Sequence, residues 1–136
     1  MREITVDATL DHVKTVTDFV NIKLDALGCS ERVRVQVDVA IDELFSNIAR
    51  YAYKPDTGPA TVRVEVADDP LSVVITFIDQ GVPYDPLAAE FVDTTALPAK
   101  DRPIGGLGLF LVKNTMDDIS YSYRDGQNIL TIRKEI

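Results

Sequence analysis

Cysteine, histidine and basic side chains are scarce in this chain, and each shortage removes a class of function. Cys29 stands alone, so no internal disulfide can form. His12 is the single histidine and has no second His or Cys at metal-ligand spacing, which leaves it a solvent-facing helix residue by expectation. Lys and Arg number 14 against 22 Asp and Glu, a formal charge of −8. That balance argues against nucleic acid and against anionic membranes, both of which attract basic proteins through long-range fields. Long apolar runs are missing too. The longest lies within Leu71 to Ile78, far too short to span a bilayer, and Met1-Arg2-Glu3-Ile4 leads into no stretch of signal-peptide length. The cytoplasm is the expected compartment.

What remains is ordinary globular material: 46% apolar and 26% charged residues in 136, the size of one domain with one real core. The expected domain is 1–136. Glu3 to Asp7 alternates Ile4 and Val6 inward as a short strand. Leu10, Val13, Thr17, Val20, Leu24 and Leu27 then recur at helical spacing up to Gly28. Ser30 can cap a second helix with the stripe Val33, Val37, Ala40, Ile41, Leu44, Phe45 and Ile48, continuing to about Tyr53. Strands are predicted over Thr61 to Asp68 and Leu71 to Asp79. A helix follows over Leu107 to Met116, then a hairpin of Ile119–Arg124 and Asn128–Lys134 around Asp125-Gly126. Gln80 to Ile104 holds four of the seven prolines and at most a turn of helix around Leu87 to Phe91, the pattern of a functional lid or binding loop. The sum is an α+β two-layer sandwich, a mixed sheet of four or five strands covered on one face by three helices.

Three short patterns carry the chemistry. Glu43 and Asn47, four apart, share one helix face. An Asn oxygen suits Mg²⁺, and a neighbouring Glu can accept a proton from a hydroxyl attacking a γ-phosphate. Read alone, Asp38, Asp42, Glu43 and Asn47 are more simply a solvated face. Asp79-Gln80-Gly81-Val82-Pro83 ends a buried strand with a carboxylate that can accept from an adenine amino group, and Gly81 would let the base approach the backbone. A plain turn explains that segment equally well. Gly105-Gly106-Leu107-Gly108 opens a helix with bare amides suited to phosphate, with Lys100 and Arg102 as the nearest cations. Together the three look like a nucleotide pocket.

The order E-x-x-x-N, D-x-G-x-P and G-G-x-G resembles the GHKL ATPases, which share the Bergerat fold of gyrase and the histidine kinases. Within them, Ala40-Ile-Asp-Glu-Leu-Phe-Ser-Asn-Ile and the run from Gly105 to Asp118 look most like the bacterial anti-sigma-factor serine/threonine kinases. The resemblance implies Mg-ATP, a sigma factor as a sequestered partner, a STAS-domain antagonist as phosphoacceptor, and commonly a homodimer. It also implies Glu43 as catalytic base and Asn47 as Mg²⁺ ligand. Asp79 and Gly81 would lie at the adenine, and Gly105, Gly106 and Gly108 around the phosphates; Pro83, Arg102 and Leu107 complete the expected cofactor-binding set. Two positions depart from the pattern. Tyr51 replaces a His common after the Asn, and Gly126-Gln127-Asn128 replaces a Gly-Thr pair whose Thr helps fix adenine, leaving Asn128 as the substitute hydrogen-bonding side chain. The alternatives are a non-catalytic ATP-binding module that only holds a partner and a detached histidine-kinase catalytic domain.

Overall fold

The computed structural model describes residues 1–87 and 106–136; of residues 106 and 107 it describes the backbone alone. Strand β1 (Arg2–Asp7) leads through a 3₁₀ turn at Leu10–His12 into α1 (Val13–Leu27) and α2 (Glu31–Asn47), which ends in a π-helical turn over Ile48–Ala52. Then come β2 (Pro59–Ala67), β3 (Ser72–Asp79), α3 (Gly106–Thr115), β4 (Asp118–Arg124) and β5 (Gln127–Glu135). Of the expected lid or binding loop Gln80 to Ile104, residues 88–104 lie outside the described residues, with Lys100, Arg102 and all but the first residue of the expected helix turn around Leu87 to Phe91; Gly105 lies outside them too.

The α+β two-layer architecture is the expected one. The five strands lie in the order β1-β2-β3-β5-β4, and all four pairings are antiparallel rather than mixed. The reason is topological. Two helices between β1 and β2 give the chain three reversals, an odd number, so the strands they join run in opposite directions. β3 and β4, with α3 between them, do run the same way, but β5 inserts between the two and removes the parallel contact.

Local signals set the helix ends. Gly28 takes the left-handed conformation that closes α1, at φ +66°. Ser30 caps α2, its Oγ accepting from the Val33 amide at 3.2 Å. His12 stays partly exposed, and its Nδ1 donates to the Asp7 carbonyl at 2.8 Å, which ties β1 to the first helical turn. The α1 stripe is also rotated slightly, with Val16 buried and Leu10 half exposed. Asp125 and Gly126 both have positive φ, as a tight β4–β5 turn demands.

The core is the seam between the layers. Val16, Val20 and Leu24 of α1 and Val37, Ile41, Leu44 and Phe45 of α2 pack on Val62, Val64, Ile75, Phe77 and Ile132 of the sheet. Each large side chain so buried contributes roughly 1.5–3 kcal/mol. Val66, at the far end of its alternating strand, stays 41% exposed. The helix layer stops short of one sheet end, where β3 finishes at Asp79 and β5 begins at Gln127, and the site lies there.

Candidate nucleotide site

A cavity of about 140 Å³ opens between the end of α2 and the edge of the sheet. Leu44, Asn47, Ile48 and Tyr51 form its helical wall, Phe77, Asp79, Tyr121, Asn128 and Leu130 its floor, and Val82, Pro83, Tyr84 and Pro86 its loop side. The lining is mostly apolar with a few convergent polar groups, the usual make-up of a small-molecule site.

Asp79 is its buried carboxylate, 5% exposed at the end of β3. Its Oδ1 accepts from the Gly81 amide and from Asn128 Nδ2, both at 2.9 Å. Among the described residues no donor reaches Oδ2, so that oxygen is left for whatever enters the cavity. Asn128 faces Asp79 directly across the β3–β5 ladder. Burial raises the phenol pKa values of Tyr84 and Tyr121, so both stay neutral at physiological pH.

Gly81 serves the backbone. A Cβ there would overlap the carbonyl of Ala52, and the next amide, Val82, donates to that same carbonyl at 3.0 Å. The π turn matters here because it delivers Ala52 to the loop, and such turns favour functional sites. The neighbouring Tyr53 ties the π turn to the ends of β2 and β3, its hydroxyl accepting from Gln80 N at 2.7 Å and donating to the Pro59 carbonyl at 2.5 Å.

Glu43 lies one turn before Asn47 and outside the cavity lining, where α2 meets α3. Gly108 packs on it so closely that a Cβ would overlap the carboxylate. Glu43 Oε1 is the one buried side-chain polar atom without a hydrogen-bond partner among the described residues. Burial, and secondarily Asp42, push its pKa up, while Arg50 and the Asn47 side chain pull the other way.

Asn47, Asp79, Pro83 and Asn128 thus share one cavity, with Gly81 beneath its loop and Glu43 and Gly108 touching beside it. Gly106 and Leu107 start α3, and Arg102 and Gly105 fall outside the described residues. The sequence reading named Tyr51 only as a departure from the family pattern and missed Ala52, Tyr84 and Tyr121 as lining residues. A signal existed for Tyr51, since Leu44, Asn47, Ile48 and Tyr51 recur at i, i+3, i+4 and i+7 on one helix face. Tyr121 has no local signal, because only the hairpin register brings it opposite Leu130.

Residues 6–134 match the model of the histidine kinase-like ATPase domain family. The chain is 30% identical to the serine-protein kinase RsbW of Bacillus cereus over 119 residues, covering 80% of this chain and 72% of the relative. It is 33% identical to the serine/threonine-protein kinase BtrW of Bordetella bronchiseptica over 103 residues, covering 76% and 71%. The fold is similar to that of the Acinetobacter baumannii histidine kinase AdeS, with a TM-score of 0.52 at 17% identity over 99% of this chain and 68% of that one. With its core, cavity and chain order all inside the matched span, the chain belongs to the histidine kinase-like ATPase family, among the relatives of the RsbW and BtrW serine/threonine-protein kinases.

Proposed function

We propose that residues 1–136 act as one cytoplasmic ATP-binding domain, a serine/threonine-protein kinase of the anti-sigma-factor type. It phosphorylates a STAS-domain antagonist, sequesters a sigma factor and so regulates transcription, with a homodimer as the expected assembly. The observation that carries the nucleotide reading is Asp79. One carboxylate oxygen is held by Gly81 and Asn128, and the other is turned to an apolar cavity with the shape and polarity suited to a base bearing an amino group.

Magnesium fits the residues present. Asn47 lines the cavity with an amide oxygen, a hard ligand, and the orphaned Glu43 oxygen lies one turn away. No cluster of three or more His, Cys, Asp or Glu suited to a metal occurs among the described residues. An ion at Asn47 would therefore take most of its ligands from phosphate and water, the habit of Mg²⁺. Bound Mg-ATP would supply the phosphoryl group, its Mg²⁺ offsetting part of the triphosphate charge that an acidic protein repels. Glu43, with its pKa raised by burial, accepts the proton of the attacking serine hydroxyl, and the glycine amides at the start of α3 face the phosphates.

A non-catalytic nucleotide-binding module is the second reading, favoured by one observation: Glu43 is packed against Gly108 and does not line the cavity. Incubation with γ-labelled ATP and STAS-domain proteins separates the two. Label on a STAS serine or threonine supports the kinase; ATP and partner binding with no label supports the module.

A further inference from the structure

Asn128 is 6% exposed and makes more side-chain hydrogen bonds than its neighbours in the cavity. Nδ2 donates to Asp79 Oδ1 and to the Val82 carbonyl, each at 2.9 Å, with a longer contact of 3.5 Å to the Gly81 carbonyl. Its Oδ1 accepts from the Tyr84 amide at 3.1 Å and from the Tyr121 hydroxyl. An asparagine side chain has two N–H donors and one oxygen with two lone pairs, so all four positions are engaged inside the protein. The orientation of the amide follows from its backbone partners. The Val82 carbonyl can only accept and the Tyr84 amide can only donate, so a flipped side chain would set donor against donor and oxygen against oxygen.

Although Asn128 lines the cavity, it has no donor left for a ligand. It joins β5 to the end of β3, to the loop at Val82 and Tyr84, and to β4. By holding Oδ1 of Asp79 it also fixes where Oδ2 points. We propose that Asn128 is a positioning residue for base recognition. It fixes Asp79 so that Oδ2 reads the exocyclic amino group of a 6-aminopurine, while ring N1 of the base receives no hydrogen bond from Asn128.

This rests on the nucleotide reading above and sharpens it into a rule of selection. Inosine nucleotides, which present a carbonyl in place of the amino group, face the Asp79 carboxylate acceptor to acceptor. A hydrogen bond to a charged group corresponds to a factor of roughly 10–100 in affinity, and ITP should lose at least that. Replacement of N1 by CH in 1-deaza-ATP keeps the amino group and removes an acceptor that Asn128 does not serve.

Calorimetry with ATP, 1-deaza-ATP and ITP in the presence of Mg²⁺ tests this on the wild-type protein without a variant. The expected order is ATP and 1-deaza-ATP within about threefold of each other, and ITP weaker by about tenfold or more. Asn128→Leu, with the same branched skeleton but without hydrogen bonds, should bring the ATP-to-ITP ratio down by about tenfold. Asn128→Thr, which keeps one donor, should recover part of it. Mere loosening of the fold would weaken all three ligands alike and leave the ratio in place. A wild-type penalty of about tenfold for 1-deaza-ATP that vanishes in Asn128→Leu would make Asn128 a direct reader of N1 and overturn the inference alone. A folded Asn128→Leu with an unchanged ratio would overturn it as well. Wild-type protein that binds none of the three would instead bring down the nucleotide reading, and this inference with it.

Discussion

Gly108 of α3 lies against the carboxylate of Glu43 on α2, leaving no room for a Cβ between the two helices. The contact is with the far end of a flexible side chain, so an added methyl would move the carboxylate before it moved a helix. Gly108→Ala should therefore leave stability near that of the wild type. A gain of about 0.5–1 kcal/mol from replacing glycine inside a helix offsets the local crowding. Phosphoryl transfer should fall by a large part of the roughly 10²–10⁴ that a positioned base contributes. Thermal melting and label transfer, measured side by side, check both halves.

Glu43 itself should cost the fold some stability. Burial raises its folded-state pKa above the ordinary 4.5, so the native state binds more protons than the unfolded chain between those two values. Stability from this group is thus highest below about pH 4.5 and is lost as pH rises toward the raised pKa. Glu43→Gln removes the buried charge. It should melt a few degrees higher than wild type at pH 7, with the difference shrinking to nothing as pH falls below the ordinary carboxylate value. A variant less stable at pH 7 would contradict this.

Asp79→Asn is expected to keep the internal bonds, because an amide oxygen can still accept from Gly81 N and Asn128 Nδ2. The group facing the cavity becomes an NH₂ donor. ATP affinity should drop by about 10–100-fold, the worth of a hydrogen bond to a charged acceptor, and the preference should turn toward GTP and ITP. Competition calorimetry with ATP and GTP reads the change.

Gly81→Ala meets backbone, which cannot yield as Glu43 can. Its Cβ would overlap the Ala52 carbonyl and carbon, and the Val82-to-Ala52 hydrogen bond would be lost with the displaced loop. Overpacking of this kind costs about 1–3 kcal/mol. Chemical denaturation should show that loss, and nucleotide binding should weaken with it.

Much of this fold was legible because its signals are local. Ser30 as a cap, Gly28 as a stop, Asp125-Gly126 as a hairpin turn and the alternation of Val62 and Val64 each depend on residues a few positions apart. The order of the strands was not legible, since nothing near β3 says that β5 will insert beside it. The three site motifs were readable as residue types, but their partners were not. Gly81 reads as a turn glycine, and only the π turn at Ile48–Ala52 shows that its missing side chain makes way for Ala52. Asn128 reads as a substitute for a threonine. Its bonds to Asp79, Val82, Tyr84 and Tyr121 come from register and from a loop 44 residues away in sequence, neither of which a local pattern contains.

The central claim, a kinase whose pocket and base are separate parts, meets its most direct test in one parallel assay of wild type and Glu43→Ala. ATP binding, partner capture and transfer of γ-label to a STAS-domain serine or threonine are measured on the same preparations. If affinity comes from Asp79, the glycine amides and the metal, as proposed, a base acts on rate and little on ground-state binding. The variant should therefore bind ATP and partner as the wild type does, and transfer label more slowly by a factor of roughly 10²–10⁴. A fully active variant, or wild-type protein that binds both ligands and labels no STAS substrate, would contradict the account.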